Sequence, residues 1–282
     1  MKTNKAYLFL LPAGVFFVVF TLTPIVMMGV LSLFETDYIT SEFVGLRNYI
    51  DALTSPDFRQ SIVNSLFYCA FTITLGTFIP LAVALTAYRY SNTYRDIVRF
   101  AFYIPSLASG IVIANAWKWI FDYRKGLANY LLSVVGIEPV MWWGHQVTAI
   151  GIISLIVVNL WMGSWIILYL AVLTTVRKEV IDSARIDGAN WRQIQTKILI
   201  PLIAPWVLFI MLLQIIATFQ IWENIYLLTS GGPANTTATV VYNIYDTGFL
   251  QSRYGIASAR SVILVVIVLV LALAKNRLEK GK

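Results

Sequence analysis

Six stretches almost empty of charge dominate this chain. Residues 6–34, 60–88, 100–117, 147–176 and 198–222 contain no Asp, Glu, Lys or Arg, and residues 254–274 contain one, Arg260. A helix that crosses the hydrocarbon of a bilayer needs about 20 mostly apolar residues, each adding about 1.5 Å of rise. Backbone amides find no water in lipid, and the alternation of barrel strands is absent, so the stretches are predicted as helices. Composition agrees: 12% of the residues are charged, against roughly 25% in a soluble domain. The expectation is an all-α polytopic membrane protein with six transmembrane helices. The first stretch, though preceded by Lys2 and Lys5, is too long for a signal peptide core and lacks a small-residue cleavage site, so it is read as a retained helix.

The basic residues give the orientation. Lys2 and Lys5 precede span one; Arg89, Arg95 and Arg99 lie between spans two and three; Arg177, Lys178, Arg185, Arg192 and Lys197 lie between spans four and five; Lys275, Arg277, Lys280 and Lys282 follow span six. Those alternate segments hold fourteen of the 21 basic residues. The segment between spans one and two instead carries Glu35, Asp37, Glu42, Asp51 and Asp57 against Arg47 and Arg59. Positive segments stay in the cytoplasm, which places both termini there and requires an even number of spans. The net charge of +7 is therefore topological, and no nucleic-acid partner is expected. One cysteine, Cys69, excludes an intrachain disulfide, and one histidine, His145, leaves no imidazole pair for a metal. Pro24, Pro80 and Pro105 fall inside spans as packing or kink positions.

The segment between spans four and five is more than a tether. Glu179 and Asp182 suit the first turn of a short helix, and Gly188 suits its stop. Ile181, Ala184 and Gly188 share helical spacing, predicting a shallow face of small side chains that another protein can grip. Trp191, Ile194 and Ile198 restart an apolar stripe that leads to Pro201 at the head of span five. Span five carries Gln214 at depth and ends in Gln220, Glu223 and Asn224, whose spacing of three and four lets them share a face. Such groups line an aqueous path or tie helices together. Asn243 and Arg260 are further candidates for the path. Arg260 reads either as a structural arginine paired with an outer carboxylate or as a pathway group favouring an acidic solute.

Residues 177–201 closely resemble the "EAA" loop in the membrane subunits of bacterial binding-protein-dependent ABC importers. The family pattern is Glu-Ala-Ala, three residues, Gly, nine residues, then Ile-x-Leu-Pro. Here it reads Asp182-Ser183-Ala184, then Gly188, then Ile198-Leu199-Ile200-Pro201, with the spacing intact. The run from Ala184 to Ala189 looks like the carbohydrate-uptake branch. So do residues 228–233, Tyr254-Gly255 with Ala257-Ser258-Ala259, Pro105, the Trp117–Phe121 cluster, Gly126 and Asn129, and Asn64-Ser65-Leu66.

The resemblance implies a type I ABC importer transmembrane domain. Residues 1–60 would be the N-terminal helix and outer loop, 61–275 the permease core with coupling loop 177–201, and 276–282 a basic cytoplasmic tail. It implies a coupling role for Glu179, Asp182, Ser183, Ala184, Asp187, Gly188, Ile198 and Pro201. The implied partners are a second permease chain of different sequence, two ABC ATPase subunits and an extracytoplasmic solute-binding protein. ATP and Mg would be used by those ATPases, with no cofactor on this chain, which has no phosphate-binding Gly-x-x-x-x-Gly-Lys-Ser/Thr loop. The expected place is the bacterial inner membrane, and the expected cargo a sugar or related polar solute. Competing readings are a secondary transporter driven by an ion gradient, an ABC permease for a non-sugar or anionic solute, and a membrane subunit without transport activity. The first of these fits poorly with spans so short of ionisable groups.

Overall fold

The computed structural model describes the backbone of residues 3–37 and 39–280, and the side chains of 9–37 and 39–273. Lys2, Lys5, Lys275, Arg277, Lys280 and Lys282, which carry part of the orientation argument, lie outside the described side chains. Helices α1 (Thr3–Phe17) and α2 (Thr23–Leu31) join through a π-helical turn at Val18–Leu22. A hairpin of β1 (Phe34–Thr36) and β2 (Ser41–Phe43) then leads to α3 (Arg47–Thr54). Next come α4 (Pro56–Tyr88), α5 (Asn92–Tyr103), α6 (Gly110–Ile120), α7 (Leu127–Val134) and α8 (Gln146–Thr174). The basic segment forms α9 (Lys178–Ile186) and α10 (Trp191–Ile194). The remainder holds α11 (Ile200–Phe219), α12 (Glu223–Leu228), α13 (Val240–Tyr245) and α14 (Tyr254–Lys280).

Among the described residues, five helical stretches are long and apolar enough to cross a bilayer: Phe9–Leu31, Pro56–Tyr88, Gln146–Thr174, Trp191–Phe219 and Tyr254–Leu273. The expected third span is present as a broken pair, Asn92–Leu107 and Gly110–Ile120, bent by 91°. The three span prolines thus meet different fates. Pro80 sits inside an unbroken helix. Beside Pro24 the π-helical turn absorbs the lost donor, and Thr23 Oγ1 donates to the Val18 carbonyl at 3.0 Å. Pro105 lies in a 3-10 turn, after which Ala108 and Ser109 turn extended and end the helix.

The chain divides into two compact units, Met1–Arg59 with Val240–Leu271, and Gln60–Thr239 with Ala272–Lys282. In the first, Asn48 donates to the carbonyls of Ser32 at 3.0 Å and Phe34 at 2.8 Å, and Ser32 and Tyr49 share a 2.6 Å hydroxyl bond. These bonds pin α3 to the end of α2 and to the hairpin. A side chain on Gly255 would overlap the Phe34 carbonyl, so α14 enters there only as glycine. In the second unit α8 crosses α5 at Gly163, where a β-carbon would stand 2.6 Å from the Phe102 carbonyl oxygen. Its apolar core runs from Leu81, Ala84 and Leu85 of α4, through Ile166, Tyr169, Leu170 and Leu173 of α8, to Ile203 and Ile210 of α11.

Candidate coupling surface and solute pathway

The basic segment folds as two short helices around a glycine corner. Glu179 stands in the first turn of α9, where a carboxylate complements the helix dipole. At the other end Gly188 adopts φ +80°, and the Ala189 amide donates to the Ala184 carbonyl at 2.9 Å. That left-handed turn is the stop expected of a glycine. Asn190 and Gln193 then open α10 with a reciprocal capping box, at 2.8 and 2.9 Å. A second π-helical turn, Gln195–Leu199, feeds into α11 with Pro201 in its first turn.

Two of the three residues expected on the gripped face, Ile181 and Ala184, point inward, while Gly188 is exposed. Ile181 and Ala184 are 5% and 8% exposed and belong to the apolar core with Ile194 and Leu199. Burial of those side chains outcompetes presenting them to a partner, at roughly 25 cal/mol per Å² removed from water. The outward face carries Glu179, Val180, Ser183, Asp187 and, 86% exposed, Ile186. Asp182 is half-buried and pairs with Arg185 at 3.6 Å. Ile198 is likewise half-buried against the core, and Gly188 is exposed with nothing within 4 Å of a β-carbon built on it. Substitution at Gly188 therefore strains the backbone without a clash inside this chain.

The candidate pathway residues separate into two sets. Gln214 is 1% exposed; it donates to the Gly76 carbonyl at 3.0 Å and accepts from Thr77 at 3.2 Å. It ties α11 to α4, and one turn on, Thr218 shares a 2.8 Å bond with Thr72. Arg260 is 8% exposed; its Nη1 donates to Asn243 Oδ1 at 2.8 Å and to Thr247 Oγ1, and its Nη2 to Ser55 Oγ at 3.3 Å. Its guanidinium carbon lies 5.3 Å from the centroid of the Phe58 ring. Among the described residues no carboxylate lies within ion-pair distance of Arg260, so the expected carboxylate partner is replaced by neutral oxygens and a ring. Gln214, Asn243 and Arg260 are all enclosed within their own units, and none presents a free side chain to a pathway.

Gln220, Glu223 and Asn224 do not share one helix face either. The α11 helix ends at Phe219, Gln220 forms its C-cap, and Glu223 opens the separate α12. Gln220 and Glu223 are nevertheless exposed, and Asn224 is half-buried. Glu223 meets the break in span three: a β-carbon on Gly110, first residue of α6, would stand 2.6 Å from Glu223 Oε1. The Ser109 side chain makes no cap bond, so the carboxylate stands at the uncapped positive end of α6. Two discontinuous helices thus converge on one free carboxylate.

Sequence reasoning named Asn64 and Asn129 only as points of family resemblance and missed that, as buried amides, they hold the outer loops. Asn64, fully buried, donates to the carbonyls of Asn235 and Ala238 and accepts from Gln60 and Gln146, all at 2.8–2.9 Å. Asn129 does the same for its loop, donating to Tyr123 and Val140 carbonyls and accepting from the Val140 amide and Trp142 Nε1. Each amide spends its full hydrogen-bonding capacity. The signal was their presence in otherwise apolar or aromatic surroundings. Unpartnered, each buried polar group would cost about 1–3 kcal/mol.

Residues 76–282 match the family described as binding-protein-dependent transport system inner membrane component. The chain is 31% identical over 280 residues to the arabinooligosaccharides transport system permease protein of Bacillus subtilis (strain 168), covering 99% of this chain and 89% of that protein. It is 30% identical over 275 residues to the trehalose/maltose transport system permease protein of Thermococcus litoralis, covering 95% of this chain and 91% of the other. Among solved structures, a bacterial ABC transporter involved in the import of the acidic polysaccharide alginate matches with a TM-score of 0.85 and 26% identity, over 98% of this chain and 95% of that one.

Proposed function

The chain belongs to the family of binding-protein-dependent transport system inner membrane components, and from that premise we propose that it forms half of the translocation path of an ATP-driven importer for a neutral oligosaccharide. It is a multi-span transport permease rather than an enzyme. In this reading it sits in the bacterial inner membrane beside a second, different permease chain. Two ATPase subunits below hydrolyse MgATP, and a solute-binding protein delivers cargo from outside. The observation that carries the coupling role is the two-faced α9. Its inner face is packed into the same core as α4, α8 and α11, while Ile186 and its neighbours stand clear for a partner. A push on α9 is transmitted to three long helices, because a close-packed interior does not deform continuously.

The solute class follows from which charge is free. The relatives described above are named for arabinooligosaccharides and for trehalose and maltose, whereas one structural neighbour imports an acidic polysaccharide. In this chain the buried arginine is committed to Asn243, Thr247 and Ser55, and the exposed group at the meeting of α6 and α12 is the Glu223 carboxylate. Carboxylate and amide oxygens suit sugar hydroxyls. An acidic sugar within 4 Å of Glu223 would be repelled by about 1–4 kcal/mol, depending on the local dielectric. Reconstitution with its ATPases and binding protein tests the reading. Neutral oligosaccharide should stimulate ATP hydrolysis and be taken up despite a protonophore. Stimulation by uronate oligosaccharides alone would reverse the solute assignment, and uptake abolished by the protonophore would overturn the ATP-driven mechanism.

A further inference from the structure

A cavity of about 660 Å³ opens beneath α9, between the ends of α4 and α8, and its lining is strongly basic. Arg89, Arg95, Arg177, Lys178 and Arg185 face two acids, Glu179 and Asp182. Among the described residues the acids pair with Arg177 at 3.7 Å and Arg185 at 3.6 Å, in pairs open to solvent. Exposed pairs of that kind hold weakly and exchange readily for a better anion. Among the described residues, no carboxylate lies within ion-pair distance of Arg89, Arg95 or Lys178. Arg95 is already oriented: its Nη2 donates to the Tyr88 carbonyl at 3.1 Å, and its guanidinium carbon lies 4.8 Å from the Tyr88 ring centroid. Two lining residues also keep a buried N–H without an acceptor, Arg95 Nε and Trp191 Nε1.

We propose that this cavity binds the phosphate headgroup of an anionic phospholipid from the cytoplasmic leaflet. Position favours a lipid over a soluble anion. Tyr88 is the last residue of α4 and Thr174 the last of α8, so the cavity opens where two apolar spans leave the hydrocarbon. Tyr and Trp side chains such as Tyr88 and Trp191 favour that boundary. Basic pockets between spans on the cytoplasmic side recognise phosphate headgroups, which lie within a Debye length of the cations there. The headgroup would bridge the spans to the polar flank of α9 that carries Lys178, Asp182 and Arg185, setting how firmly the coupling surface is held. This inference rests on the membrane placement of the chain and is independent of the solute.

Native mass spectrometry of the full chain, released from micelles containing equal phosphatidylglycerol and phosphatidylcholine, tests it. The wild type should retain phosphatidylglycerol preferentially. Arg89→Gln with Lys178→Gln, both exposed positions, should cut that preference about fivefold for each cation removed, the measure of one basic residue at an anionic surface. Arg192→Gln with Lys197→Gln removes the same charge from the basic segment between spans four and five, outside the cavity lining, and should leave the preference within twofold of wild type. Equal losses in both pairs would reduce the effect to general attraction and overturn the site. Displacement by millimolar inorganic phosphate would show a soluble-anion site instead, and no selectivity in the wild type would leave the cavity to a protein partner. Arg95→Lys keeps the charge but not the fork that holds the Tyr88 carbonyl and offers Nε, and an intermediate preference is expected. A wild-type preference there would remove Arg95 from the site.

Discussion

A buried arginine without a carboxylate is the least expected side chain in this molecule. Removing a charge from water is expensive, yet Arg260 is held by neutral oxygens of Asn243, Thr247 and Ser55 and by the Phe58 ring. Two effects compete when it is replaced by an apolar residue of similar length: relief of the desolvation cost, and the loss of partners for buried oxygens. The second should win, because Asn243 and Thr247 are themselves buried and cannot turn to water. Arg260→Met should therefore lower the unfolding free energy by about 2–4 kcal/mol, read as a lower thermal midpoint of the purified chain. Arg260→Met with Asn243→Leu should recover part of the loss, since removing both partners costs less than removing one. A single variant as stable as wild type would mean the cluster carries no net stability. The sequence announced that Arg260 needed an explanation, but its hydrogen-bond partners lie 13 to 205 positions away along the chain, which no local pattern encodes; Ser55 is the most distant.

At the scale of elements, the helices around Gly188 were legible because their signals are local. An acidic first turn and a glycine stop each act on backbone groups within about one helical turn; the Asn190–Gln193 capping box is equally local but was not read from the sequence. Which face of α9 looks inward was not legible. Ile181 and Ala184 have the spacing of a stripe in either direction, and only the core formed by α4, α8 and α11 decides it. The bend in span three was hidden for a related reason: Pro80 and Pro105 look alike in sequence, and only one lies at a break. These placements separate two variants that the sequence treats alike. Ala184→Trp must force a large ring into a packed core and should reduce the amount of folded chain. Ile186→Arg changes only an outward side chain, so the chain should accumulate normally while solute-stimulated ATP hydrolysis falls at least tenfold. Gly188→Val should cost about 1–2 kcal/mol of backbone strain at φ +80°, whereas Gly188→Asn should be milder. Full stimulation by Ile186→Arg would show that the outward face of α9 is not where the ATPases act.

At the scale of the whole molecule, the six charge-free stretches and the alternation of basic segments supplied the architecture, since a bilayer enforces both. That topology predicts that a cysteine at Ser41 in the outer hairpin reacts with an impermeant maleimide in intact cells. One at Ser91, between spans two and three, should react only after lysis; Cys69 is buried and should leave the background silent. Labelling at Ser91 from outside would invert the orientation. What the sequence could not supply is the meeting of α6 and α12, because it depends on two helices breaking at matching places. Their breaks leave the Glu223 carboxylate against Gly110 and at the uncapped start of α6, the arrangement of half-helices that lines solute sites in other transporters. A carboxylate there can accept hydrogen bonds from the hydroxyls of a passing sugar. Glu223→Gln keeps the shape and one acceptor, so it should raise the KM for uptake modestly. Glu223→Ala removes both oxygens and should raise it about tenfold, the loss of about 1.4 kcal/mol expected when a charge-assisted bond disappears. Gly110→Ala should act in the same direction, because its methyl displaces the carboxylate without removing it. Binding of solute to the isolated binding protein and unstimulated ATP hydrolysis should not move in any of the three, which separates a contact with cargo from a defect in assembly. Unchanged KM in both Glu223→Ala and Gly110→Ala would leave this carboxylate as a cap for α6 and nothing more.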